Sequence, residues 1–298
     1  MLVSQRRTEL PEIVQELRMS ARQWPTRIAG KLLPRNSVLV LAVLSVLTFG
    51  LAWVQAQEQG FPAPTTTGVL GRKDAGALTE INAHLSAVSA VGWQALEATG
   101  TLTYPAGETH AATLYLMGAN HSRLDIQMGT GTRSFRQSGS AAHFQHENGN
   151  QGSLPPATAS AGIVAFPRIW ADAVTSSRVS IYDHNTSSYD GQNLHRITIE
   201  YPIDIGVATA ATKPRTAATD LYFDPSTHVL VYSVDAVTFN GPSRQTFARG
   251  TSYGDYQQFS GIKVPVTIKQ YLNGQLLWTL QLSQVKVNTD PAANTFSF

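Results

Sequence analysis

Ile262-Lys-Val-Pro-Val-Thr-Ile268, then Asn273-Gly274, then Leu276-Leu-Trp-Thr-Leu-Gln-Leu282 is the stretch that decides the fold. Two apolar runs flank an Asn-Gly pair. Both residues of a type I′ turn take φ > 0, so Asn-Gly in this setting reads as a tight hairpin. Upstream, Tyr253-Gly-Asp-Tyr256 leads through Phe259-Ser-Gly261 into the first of these runs. Downstream, Val285-Lys-Val-Asn288 extends the second run towards Phe296-Ser-Phe298. The last quarter of the chain is therefore a succession of antiparallel strands.

The same pattern continues towards the N-terminus. Strands are predicted at 94–104, 110–118, 123–128, 132–138 and 141–146, and again at 178–183, 193–201, 219–223, 229–238 and 245–256. A Gly/Ser/Pro/Ala loop at 148–161 and a second loop at 202–214 interrupt them. Asp74 is placed to cap a helix over 74–89, with Leu78, Ile81, Leu85 and Val88 on one stripe and Glu80, Asn82, His84 and Ser86 opposite. A second helix is predicted over 163–174. Roughly a dozen strands in succession predict one antiparallel sheet with sequence neighbours side by side, and a sheet so wide curls. The predicted fold is mainly β: a curved antiparallel half-barrel with one or two helices packed against it.

The first 56 residues set the compartment. Residues 37–54 carry no charge, and ahead of them seven basic residues (Arg6, Arg7, Arg18, Arg22, Arg27, Lys31, Arg35) face three acidic ones. That asymmetry keeps the N-terminal side cytoplasmic and sends the rest across the membrane. Val54-Gln55-Ala56 offers small residues at the spacing a signal peptidase accepts. Two readings stay open for 1–56: a signal peptide cleaved after Ala56, or a signal anchor touching the inner membrane through 37–54. Residues 57–73, with Phe61-Pro-Ala-Pro-Thr-Thr-Thr-Gly68, read as a flexible Pro/Thr linker, and 74–298 as one domain.

The chain has no cysteine, which excludes disulfides, thiolate metal sites and lipid attachment at a lipobox cysteine. The formal charge of +2 belongs to the export segment. Seven of the 22 Lys and Arg and three of the 20 Asp and Glu lie before residue 57, leaving 15 against 17 in the domain. Nothing in that balance supports nucleic-acid binding.

Several motifs, in this order, resemble a known family. They are the helix followed by Thr99-Gly-Thr-Leu-Thr103, then Ser122-Arg-Leu-Asp-Ile126, Leu221-Tyr-Phe-Asp-Pro-Ser-Thr-His-Val-Leu230, Tyr253-Gly-Asp-Tyr256, Gly261-Ile-Lys-Val-Pro265 and the closing Val285-Lys-Val-Asn288. Over about residues 74–298 the chain resembles the LolA/LolB-like lipoprotein-carrier superfamily and its outer-membrane lipoprotein-sorting relatives. The resemblance implies a periplasmic half-barrel holding acyl chains on its concave face.

Chemistry-bearing constellations are absent from the sequence. There is no Gly-x-Ser-x-Gly elbow, His-Glu-x-x-His or P-loop. Of the eight histidines (84, 110, 121, 143, 146, 184, 195, 228), His143 and His146 have a metal-site spacing, but on a strand i and i+3 point to opposite faces. No catalytic residue, metal ligand or cofactor is predicted. Leu114 with Leu116, and Leu124 with Ile126, share strand faces and are the candidate lipid-binding residues, joined by Phe135, Phe144 and Trp170. Arg123 is the candidate for a lipid headgroup or lipidated terminus. The expected function is a non-enzymatic, exported envelope protein that binds a lipid, acyl chain or lipoprotein for transport to the outer membrane. The alternative is an envelope protein-interaction or sensor module of the same fold, with its own side chains filling the concavity.

Overall fold

The structure, a computed structural model, describes residues 63–297 apart from 91–92, 119–120, 140, 155–166, 190, 203–215, 239–245 and 293. The segment 1–56 lies outside the described residues, as does most of the second helix's N-terminal half expected from 163. Among the described residues no helix is long and apolar enough to cross a membrane.

Among the described residues thirteen strands form a single open, curved antiparallel sheet in the order β6-β5-β4-β3-β2-β1-β13-β12-β11-β10-β9-β8-β7. The order is two meanders joined at the middle. The first runs from β1 (Ala95–Thr103) through β2 (Thr109–Met117), β3 (His121–Met128), β4 (Gly131–Ser138) and β5 (Ala141–Gln145) to β6 (Gln151–Leu154). The second runs from β7 (Ser180–Tyr189) through β8 (Gln192–Pro202), β9 (Thr216–Phe223), β10 (Leu230–Thr238), β11 (Thr246–Phe259) and β12 (Ile262–Leu272) to β13 (Gln275–Val287). First and last strands pair, with Leu102 opposite Leu280. Consecutive strands are neighbours as predicted, except that β6 and β7 end up on opposite edges.

The deciding hairpin is β12–β13. Asn273 (φ 49°) and Gly274 (φ 77°) occupy its turn in the left-handed region the sequence demands. Ser260 and Gly261 (φ 48° and 86°) make the same kind of turn between β11 and β12.

The inner face carries the main core. Leu96, Leu102, Leu114, Leu124, Ile197, Leu221, Phe223, Val264, Ile268 and Leu280 belong to one buried cluster with Ala77 and Ile81 of helix α1 (Ala75–Ala87) and Ala173 of α2 (Pro167–Thr175). A smaller cluster of Leu194, Tyr222, Tyr232, Val234 and Tyr271 lies on the other face of the second meander.

Three local expectations change. The docked stripe of α1 is Ala77, Glu80, Ile81 and His84, while Leu78 and Leu85 are only partly buried. Glu80 and His84, expected in solvent, face the sheet because partners await them there. Asp74 is at the N-cap, but its carboxylate accepts from Arg72 and from the backbone N–H of Asp183 and caps nothing. The linker is also fixed from Thr67 onward. Thr67 donates its N–H and hydroxyl to Glu200 Oε2 at 3.0 and 2.6 Å, and Gly68 N–H donates to Oε1 at 2.6 Å. Arg72 and Asp74 then exchange backbone bonds with Ile181, so the segment covers the β7 edge.

Candidate functional site

Pleating and register assemble the predicted apolar face. Ala98, Leu114, Leu124, Phe135, Phe144 and Gly152 stand opposite one another from β1 to β6, so they form one cross-strand row. Leu116 and Ile126 flank the row on the same face. Leu114, Leu116, Leu124 and Ile126 are 1, 3, 1 and 2% exposed and belong to the main core cluster. Phe135 packs against that cluster, half buried. Phe144 is also half buried, its ring lying over Gly152 and in edge contact with His146 at 5.0 Å. Trp170 belongs to α2, its side chain outside the described set.

Polar groups rim the row. Gln137 and Ser122 are buried beside Leu116, and the Ser122 hydroxyl has no hydrogen-bond partner. Arg133, opposite Ile126, forks onto Glu147 at 3.1 and 3.2 Å and holds that carboxyl below the usual range.

Arg123 is not among these residues. It alternates with Leu124 onto the outer face, opposite Tyr115 and Arg136. Its guanidinium grips Asp125 at 2.7–2.8 Å, stacks on Tyr115 at 5.9 Å and donates to the Thr295 carbonyl at 3.0 Å. Arg136 donates to the Ser297 carbonyl at 2.9 Å, and burial with the nearby Arg123 charge lowers its pKa. Between them Phe296 is buried against His121, ring centroids 5.5 Å apart. Arg123 thus holds the C-terminal segment to the sheet.

Sequence reading did not find two polar assemblies. One is Glu80 of α1, flanked by His195 (3.1 Å) and His228 (2.9 Å), with His195 also 2.9 Å from Asp183. These four residues come from four separate segments, so no spacing announces them. The other is a buried fork of Arg249 onto Asp235 at 2.9 and 2.6 Å, a pair directly opposite across β10 and β11. Among the described residues no group of three or more His, Cys, Asp or Glu is arranged to hold a metal ion.

The chain is similar to several solved structures. One is a domain named for outer-membrane lipoprotein sorting from Vibrio parahaemolyticus: 12% identity, TM-score 0.49, covering 74% of this chain and 96% of that one. A LolA superfamily protein from Nitrosomonas europaea gives 13% identity and a TM-score of 0.46, over 74% and 97% of the two chains. A DUF1329 family protein from Desulfovibrio piger is similar at 6% identity and a TM-score of 0.48, over the same shares. These are likenesses of fold. No protein-family model matches the chain, and no curated protein matches it in sequence.

Proposed function

We propose that this is a non-enzymatic, exported cell-envelope protein that receives an acyl chain, as a lipid or lipoprotein, on the inner face of its curved sheet. The observation that carries the reading is the apolar row running from Leu114 and Leu124 to Phe135 and Phe144 across four adjacent strands. Such a face needs no catalytic group. Removing apolar surface from water supplies about 25 cal/mol per Å2, which offsets a chain's departure from a membrane. The sequence resemblance to lipoprotein carriers implies the same cargo class, and transport towards the outer membrane belongs to this proposal. Export through 1–56, with cleavage after Ala56 or retention as an anchor, is part of it as well.

One observation favours the second reading, an interaction or sensor module without lipid cargo. The four aliphatic side chains at 114, 116, 124 and 126 are already almost wholly covered. Cargo entry then requires the covering groups to move aside. Native mass spectrometry of the purified protein separates the readings: co-purified lipid is expected, and a lipid-free protein that captures none from mixed vesicles overturns the carrier reading.

A further inference from the structure

Helix α1 is fastened to the sheet by a charged cluster as well as by apolar packing. Glu80 is 6% exposed and sits between His195 Nδ1 of β8 and His228 Nδ1 of the β9–β10 turn. His195 Nε2 meets Asp183 Oδ1 of β7. Both ring nitrogens of His195 therefore face carboxylate oxygens. A carboxylate accepts and cannot donate, so both bonds exist together only when the imidazole carries both protons.

We propose that Glu80, His195 and His228 form a pH-sensitive latch that holds α1 on the inner face of the sheet. When His195 gives up a proton, one of its two N–H···O bonds becomes a lone pair facing a carboxylate, and the helix loses a charge-assisted tie. Opening α1 withdraws Ala77 and Ile81 from the core cluster and uncovers the sheet beneath them.

The surrounding charges set the direction of the response. Burial would lower the His195 pKa, but the bonds to Asp183 and Glu80 outweigh it and hold the pKa above that of a free histidine. The tie is therefore fully present below the ordinary histidine pKa and is lost as pH rises through the raised value. From α1 itself, His84 lies one turn beyond Glu80, buried and bonded to the His228 carbonyl. Ahead of α1, Asp74 is occupied by Arg72 and by the Asp183 N–H. Gly76 leaves the room that the Asp183 carboxylate fills; a Cβ there would collide with it. His184 turns away to Thr198, and Asp172 of α2 is exposed. The latch is thus independent of any cargo, while its consequence for the inner face extends the carrier reading.

The cysteine-free chain makes the test direct. Nitroxide labels on Asn82→Cys and Thr101→Cys, both exposed, report the α1-to-sheet distance by pulsed electron spin resonance. Between about pH 5.5 and about pH 8.5, either side of the histidine range, the ratio of short to long distances is expected to fall about tenfold. His195→Gln should give the same distribution at both pH values. His228→Asn, which tolerates the left-handed backbone of that turn (φ 56°), should broaden the distribution at both while keeping the response. A distribution that does not change with pH in the labelled parent, or a response that survives His195→Gln, overturns the latch. If His195→Gln does not fold, Glu80→Gln takes its place with the same expectation, since an amide can donate to or accept from the facing His195 nitrogen and so pairs with it whether or not that nitrogen carries a proton.

Discussion

His84 Nδ1 donates to the carbonyl oxygen of His228, 2.8 Å away, while its Nε2 is buried with no partner. A carbonyl only accepts, so this geometry selects the neutral ring with its proton on Nδ1. Burial is the largest influence on the ring and pushes its pKa down to about 4, against the opposing His228 carbonyl and Glu80 charge. Stability from this site is complete above the free-histidine value near 6.5 and is lost as pH falls from there towards 4. The loss approaches ~3 kcal/mol at the acid end. Urea unfolding midpoints measured down the acid range should therefore decline more steeply for the parent than for His84→Leu, even though the variant starts less stable. Equal slopes would place the acid sensitivity elsewhere.

Arg249 and Asp235 form a two-bond ion pair taken almost wholly out of water, their side chains 11% and 10% exposed. Such a pair contributes little relative to apolar residues of the same size, but breaking it strands a charge. Asp235→Ala is expected to cost ~3–5 kcal/mol, whereas Asp235→Leu combined with Arg249→Met should cost clearly less. Denaturant titration of the three proteins checks this. A double variant as unstable as the single one would mean that the pair supplies stability of its own.

The C-terminal segment is held by Arg123 and Arg136 through carbonyls and by Phe296 through burial. Arg123→Ala removes the bond to the Thr295 carbonyl, the ion pair with Asp125 and the stack on Tyr115, so global stability should fall by ~2 kcal/mol. Phe296→Ala should cost ~3 kcal/mol because it empties a packed position. In both, proteolysis around Thr295 should accelerate before the sheet opens. If Arg123→Ala leaves cleavage there unchanged, the guanidinium is not what holds the segment.

How much of this was legible depended on whether a residue's neighbours along the chain were also its neighbours in space. Hairpins were readable because Asn273-Gly274 and Ser260-Gly261 carry their own turn chemistry and lie between alternating apolar runs. β6 was not: Gln151-Gly-Ser-Leu154 has no apolar alternation and is a strand because β5 offers it a ladder. The α1 stripe shifted for the same reason. Periodicity counted Glu80 and His84 as solvent positions, while His195 and His228, more than 100 residues away, made burying them tolerable. At the candidate site the row Leu114–Leu124–Phe135–Phe144 follows from strand alternation once register is known. The outward turn of Arg123 followed from the same alternation, but its C-terminal partners did not.

The carrier reading makes its sharpest prediction along the apolar row, where burial dictates which substitution is informative. Leu124 is 1% exposed on β3, three strands in from the β6 edge, so Leu124→Asp puts a carboxylate into the core and is expected to unfold much of the protein. Folded Leu124→Asp protein, where obtained, should carry no lipid. Phe144 stands at the outer end of the same row on β5, half buried above Gly152 and one strand from the edge. Phe144→Asp should therefore keep the circular dichroism of the parent while placing a charge on the path an acyl chain would take. Co-purified lipid, counted by native mass spectrometry, is expected to fall at least about tenfold in this variant, the ratio that ~1.4 kcal/mol of lost apolar contact produces. Phe144→Leu, which keeps the surface apolar, should retain most of it. Lipid undiminished in folded Phe144→Asp, or lost equally in Phe144→Leu, removes this face as the binding surface and leaves the interaction-module reading ahead.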